Sequence, residues 1–194
     1  MQTHLLAQIH TDIDDRVATI RRDHAPWLCG KGCAACCRNL AGIPLLTPPE
    51  WQLLQEGLAA LDAERLAWVS RNVAALAKAT AGPLTCPLLD ADADACLVYP
   101  QRPVACRTYG FYVQRHLGLY CGDILAKVDS GAYDLVVWGN QDAVDAGLGK
   151  LGQARTLTDW WQALGYAPAH PARWAGGAGE APAGRADSPE QHER

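Results

Sequence analysis

The sequence predicts a mainly α-helical fold with irregular loops and short extended segments, one domain built around a cysteine-lined metal centre. Three observations carry this expectation. Apolar residues recur at helical spacing in several separate stretches. A stretch rich in Pro and Asp, Thr85 to Cys106, has no period of its own. Eight cysteines are present in the chain, and four of them fall within "CGKGCAACC", Cys29 to Cys37.

The elements follow in order. Leu5, Leu6, Ile9, Ile13, Val17 and Ile20 share one face, so Met1 to Asp23 is expected to contain an amphipathic helix that ends before Pro26. In "TPPEW", Thr47 can cap a second helix, Pro48 suits its first position, and Glu50 stands where a capping box needs it. That helix is expected to run to about Gly57. A third starts at Asp62, carries Leu66, Val69, Val73 and Leu76 on one face, and stops before "AGP" at Ala81 to Pro83. Thr85 to Cys106 reads as an ordered loop. "TYGFYVQRH" (Thr108 to His116) has the aromatic and β-branched content of a short strand. "YDLVVWGNQDAVDAGL" reads as an extended apolar run followed by a helix from about Asn140. "TLTDWWQALGY" reads as a short helix capped by Thr156 or Thr158. The folded domain is expected over residues 1–166. Residues 167–194 are mostly Ala, Gly, Pro and scattered charge, the composition of a disordered tail.

With 194 residues, 49% apolar and 20% charged, the chain can bury a core without a disulfide or metal to hold it. The cysteines therefore need a separate explanation. A net charge of −4 and a pI near 5.8 argue against a nucleic-acid surface. No run approaches the roughly 18 apolar residues of a membrane span, and the acidic start does not resemble a signal peptide. The expected compartment is the cytoplasm, where thiols stay reduced and disulfides are disfavoured.

The cysteines are spaced as ligands. The first group, Cys29, Cys33, Cys36 and Cys37, is C-x3-C-x2-C-C; a tight loop of this kind turns successive sulfurs toward one centre, with Gly30 and Gly32 supplying conformational freedom. The second group, Cys86, Cys96 and Cys106, is spaced C-x9-C-x9-C, with Cys121 trailing, and lies in the region without a period, where a metal would supply the order. Thiolate ligation suits zinc or an iron–sulfur cluster and does not suit magnesium or calcium. The isolated cysteines of the second half are unlike paired zinc knuckles, and Cys86-Pro87 resembles the ferredoxin-type ligand before a proline. An iron–sulfur cluster is therefore favoured over zinc. Four thiolates on either centre leave a net charge of about −2, and Arg102 and Arg107, flanking Cys106, are the candidates to offset it. Arg38 also lies within a few residues of a cysteine, and Lys31 reads as solvated surface. His4, His10, His24, His116, His170 and His192 read as surface histidines, and no residue is specified as a catalytic base.

With these residues in view, the chain resembles the CxxCxxCC cysteine-cluster family of bacteria (YkgJ-like), described as a zinc- or iron-chelating domain. Its first motif, C-x2-C-x2-C-C, is met by Cys33, Cys36 and Cys37 at the family spacing, with three residues instead of two after Cys29. Its second, C-x-x-Y-x-x-R-P-x-x-C, is met in "CLVYPQRPVACRTYGF" by Cys96, Tyr99, Arg102, Pro103 and Cys106, with Arg107 beyond and Cys86 upstream. The resemblance spans about Trp27 to Cys121. It implies metal chelation and no particular reaction. Some relatives resemble flagellin lysine methylases that carry an iron–sulfur cluster, but no glycine-rich cofactor fingerprint follows a clear strand here.

Three functions follow as expectations: a protein chelating iron, favoured as a cluster, or zinc; an iron–sulfur enzyme or electron-transfer component; and an interaction module with structural zinc, in which Trp160 and Trp161 mark a partner surface or else complete a small core. The expected partner is a metal ion or cluster, with neither nucleic acid nor membrane. Eight cysteines exceed the four that one centre needs, so either two centres exist or some thiols are bystanders.

Overall fold

The computed structural model describes residues 2–79 and 83–163. The expected domain limit at residue 166, the tail 167–194, His170 and His192 lie outside the described residues. Helices dominate, joined by loops and by strands of two or three residues, as the sequence implied.

Helix α1 (Gln2–Asp23) buries Leu6, Ile9, Ile13 and Ile20, the stripe read from its spacing. A short helix α2 (Ala35–Arg38) sits inside the first cysteine group. Helix α3 (Pro48–Ala59) begins with the expected capping box: Glu50 Oε2 accepts from the Thr47 backbone N–H at 2.8 Å and from its hydroxyl at 2.7 Å. The other oxygen of Glu50 accepts from the Val104 N–H at 2.9 Å, a link across 54 residues that no local pattern announces. Helix α4 (Ala63–Leu76) is capped by Asp62, which accepts from the Arg65 N–H, and it buries Val69, Val73 and Leu76.

The Thr85 to Cys106 stretch contains more regular structure than expected. Strands β1 (Leu45–Leu46) and β2 (Leu89–Asp90) precede β3 (Ala95–Cys96), and β2 pairs antiparallel with β3. A 3-10 turn at Tyr99–Gln101 leads into α5 (Val104–Thr108). Two-residue ladders are too short to leave a period in a sequence, so only their tertiary partners reveal them.

Strand β4 (Tyr112–Gln114) falls within the expected strand, and β5 (Leu117–Leu119) folds back antiparallel onto it. Helix α6 (Gly122–Asp129) follows. The apolar run after Tyr133 was expected to be extended; it begins in a turn that reaches Leu135, and Val136 to Trp138 join no strand. The aromatic rings take over the packing, with Trp27 stacked on Tyr133 at 4.5 Å and meeting Trp138 at 5.6 Å. Only β6 (Gly139–Asn140) joins the sheet, parallel to β4. Asn140 caps α7 (Gln141–Leu148) through the Ala143 N–H, close to the expected start. Strand β7 (Arg155–Thr156) pairs antiparallel with β1 and leads into α8 (Leu157–Ala163). Thr156 is the residue that caps α8, accepting from the Asp159 N–H at 3.1 Å.

Two apolar clusters form the interior. The first joins α3, α4, α8 and the 86–98 segment through Trp51, Leu54, Leu58, Val69, Val73, Leu89, Val98 and Trp161. The second joins α1 to Val104, Phe111, Tyr112, Ile124, Tyr133 and Leu151. Trp161 is buried, and Trp160 stacks on Trp51 at 6.0 Å while its N–H donates to the Leu46 carbonyl at 2.8 Å, so both tryptophans complete a core. No described helix is long and apolar enough to cross a membrane.

Candidate metal centre

The two cysteine groups meet in space because the backbone joins them. The Cys86 N–H donates to the Cys37 carbonyl at 2.7 Å, and the Leu40 N–H to the Leu84 carbonyl at 2.8 Å. The Arg38 guanidinium then reaches the β2–β3 hairpin, pairing with Asp94 and donating to the Ala91 carbonyl at 3.2 Å. These links hold α2 and the hairpin side by side. Arg38 is thus a tether between the two cysteine groups, though a half-exposed one.

Between them lies a cavity of about 60 Å³, lined by Cys29, Cys33, Cys36, Cys37, Cys86, Cys96 and Cys106. Leu46, Leu54, Leu88 and Leu157 supply its apolar lining. A second, smaller cavity of about 20 Å³ is lined by Cys29, Cys33, Cys36 and Cys121. All eight sequence-predicted cysteines therefore face one or both of two spaces. Gly32, with φ of 92°, makes the turn of the first loop possible, whereas Gly30 is not among the residues of positive φ. Gly110 (φ 90°) lets the chain pass close to Cys29: a Cβ there would come within 2.8 Å of its sulfur.

The thiols hold their protons tightly. Burial pushes Cys106 up to about 12, with Cys96, Cys37 and Cys36 adding to the effect and Arg102 opposing it. For Cys37, the hydrogen bond with Cys36 acts downward, but that with Cys86 and burial outweigh it, for a net value of about 12. Cys36 is raised first by its hydrogen bond to Cys37 and then by burial. Burial raises Cys96. Burial also lifts Cys29 to about 11, reinforced by Cys33, Cys36 and Cys121 and opposed by Arg21. A set of thiols that oppose one another's ionisation is what a bound cation reverses, because a coordinated thiol is deprotonated outright.

Among the described residues, no three His, Cys, Asp or Glu side chains stand arranged to hold a metal ion directly. The expected metal centre is thus a cysteine-lined cavity in which Cys36 and Cys37, and Cys37 and Cys86, shift one another's ionisation. The donors fit a thiophilic ion: seven sulfurs and no histidine line the larger space. Ligation would require these side chains to turn until their sulfurs converge on one point.

The two arginines part company. Arg102 lines the cavity, stacks 3.8 Å above the Tyr99 ring, and keeps a buried Nε with no hydrogen-bond partner among the described residues. Arg107 turns the other way. It pairs with Asp14 of α1 at 3.3 Å and donates to the carbonyls of Arg102 and Pro100. Lys31 is exposed, 5.9 Å from the same Tyr99 ring.

Behind them sits His10, expected at the surface but half-buried, with Nε2 lacking a partner among the described residues. Burial lowers its pKa to about 4, Arg107 and Arg102 act in the same direction, and Asp14 opposes them. The folded state therefore prefers neutral His10, so its contribution is complete above the unfolded value near 6.5 and is lost as pH falls toward 4. His10→Phe should flatten the stability profile between pH 6.5 and 4 in urea titrations; an unchanged slope would assign the acid sensitivity to other groups.

Spacing did not reveal Tyr109, Gly110 or Asp94 as lining residues. Tyr109 and Gly110 stand within "CRTYG", directly after a cysteine already singled out, and that proximity was the available signal.

Residues 28–123 match the model of a protein family, CxxCxxCC, described as "Putative zinc- or iron-chelating domain". No curated protein and no solved structure matched the chain.

Proposed function

Because residues 28–123 belong to the CxxCxxCC family, we propose that the protein chelates iron, as an iron–sulfur cluster, through the cysteines of the larger cavity. One observation carries the reading: sulfurs separated by up to 77 residues, Cys29 to Cys106, line a single space. A cluster is favoured over a single zinc ion by the size of the space. About 60 Å³ exceeds the roughly 10–15 Å³ that one water molecule needs, which leaves room for more than one ion.

Cys37, Cys86, Cys96 and Cys106 would hold the group, and such a group supplies one-electron chemistry when bound. The chain's own residues shape its surroundings. Leu46, Leu54, Leu88 and Leu157 keep water from one side. Arg102, fixed on Tyr99 with Nε unpartnered, offsets the excess negative charge of four thiolates. Arg107 acts at one remove, by holding the 100–102 turn that carries Arg102.

Purification without oxygen, followed by visible absorption and metal analysis, tests this. A brown protein with a broad band near the ferredoxin range and several irons per chain is expected. A colourless protein with stoichiometric zinc would remove the iron and leave chelation by the same sulfurs.

A further inference from the structure

We propose that the eight cysteines form two adjoining sites, and that Cys29, Cys33, Cys36 and Cys121 hold one zinc ion beside the group in the larger cavity. The inference rests on the reading that this segment chelates a thiophilic metal.

Two observations set Cys121 apart from Cys37, Cys86 and Cys96. The first is the pair of cavities. Only Cys121 faces the smaller space alone, and it does so with Cys29, Cys33 and Cys36. Cys37, Cys86, Cys96 and Cys106 face only the larger one. The second is the packing of the interior. Cys37, Cys86 and Cys96 belong to the core of α3, α4 and α8, whereas Cys29 and Cys121 pack against the core of α1 and α6. A sulfur anchored in one core cannot reach a centre in the other without moving its backbone. Cys29, Cys33 and Cys36 line both spaces; they go with Cys121, which has no other sulfur beside it, and Cys37, Cys86, Cys96 and Cys106 are left for the larger one.

Size decides the occupant. At about 20 Å³ the smaller space is only slightly larger than the roughly 10–15 Å³ one water molecule needs, so it suits a single ion. Four cysteines around one small ion is the closed tetrahedral site of structural zinc. Binding one Zn²⁺ would release the four thiol protons to solvent and leave a net charge of −2. A cation already stands near: Arg21 donates to the Cys29 carbonyl at 3.1 Å. Cys29 itself is held by its S–H donating to the Tyr109 carbonyl at 3.7 Å, a bond that ligation would replace. Asp123 also faces the space and is the only carboxylate that does so among the described residues.

The test is metal analysis of the full chain, purified without oxygen from medium containing both zinc and iron. The wild type is expected to carry one zinc per chain in addition to the metal of the larger cavity. Cys121→Ser should lose that zinc and keep the rest, and Cys96→Ser should do the reverse. If Cys121→Ser does not fold, Cys33→Ser serves, since Cys33 is exposed and tolerates change. Full zinc content in both Cys121→Ser and Cys33→Ser, or a wild type holding iron and no zinc, overturns the second site and leaves the proposed function standing. A wild type holding neither metal overturns both.

Discussion

Cys106→Ser is expected to strip the larger cavity of most of its metal and to lower Tm by roughly 10 °C. Cys106 rides on α5, and α5 is positioned from two sides, by Arg107 on Asp14 and by Glu50 on the Val104 N–H. The scaffold should therefore hold its shape while the hydroxyl, a much poorer ligand than a thiolate, fails to bind. Metal affinity acquired only on folding is stability. A loss of about 3–4 kcal/mol corresponds to roughly 10 °C in a chain of this size. Calorimetry and metal analysis read the two effects together. Metal content equal to the wild type would place Cys106 outside the ligand set.

Glu50→Ala should destabilise the fold by about 4 kcal/mol without touching a sulfur. Glu50 is 3% exposed and accepts three hydrogen bonds, two from Thr47 and one from Val104. Hydrogen bonds to a charged group are worth about 1.5–3 kcal/mol each, and they do not add fully. Truncation also strands the N–H of Val104, a residue with no exposed surface. The same carboxylate starts α3 and aims α5, so its removal should loosen the link between the two cores. Urea denaturation checks this; a change below about 1 kcal/mol would mean that water replaces the lost acceptor at no cost. Thr47→Ala, which removes only the hydroxyl contact, should cost about 1 kcal/mol by the same measurement.

The long helices were legible because their signals are local. Four buried side chains at helical spacing define α1, and a Thr, two prolines and a Glu define the start of α3. Helix α2 has four residues and the strands of the β2–β3 hairpin two each, too few for any period to register. Helix α6, at eight residues, has room for a single buried residue, Ile124. The Tyr133–Trp138 run misled because an apolar stretch can satisfy itself with ring stacking as well as with a ladder. The site divides similarly. Cysteine spacing identified every sulfur that lines the cavities. It carried no information on which core each would pack against, and that decides which sulfurs act together. Nor could it separate Arg102 from Arg107, since Asp14, the partner that draws Arg107 away, comes from a helix 93 residues distant.

The tether between Arg38 and Asp94 also makes the seam between the two cysteine groups sensitive to salt. Both side chains are about half exposed, and Asp94 also lines the larger cavity. An ion pair so placed is worth at most about 1 kcal/mol and weakens as ionic strength rises. Thermal fluctuation alone is enough to part it. Raising the ionic strength should therefore loosen the contact between α2 and the β2–β3 hairpin, while the backbone bond from Cys86 to Cys37 keeps the two cysteine groups joined.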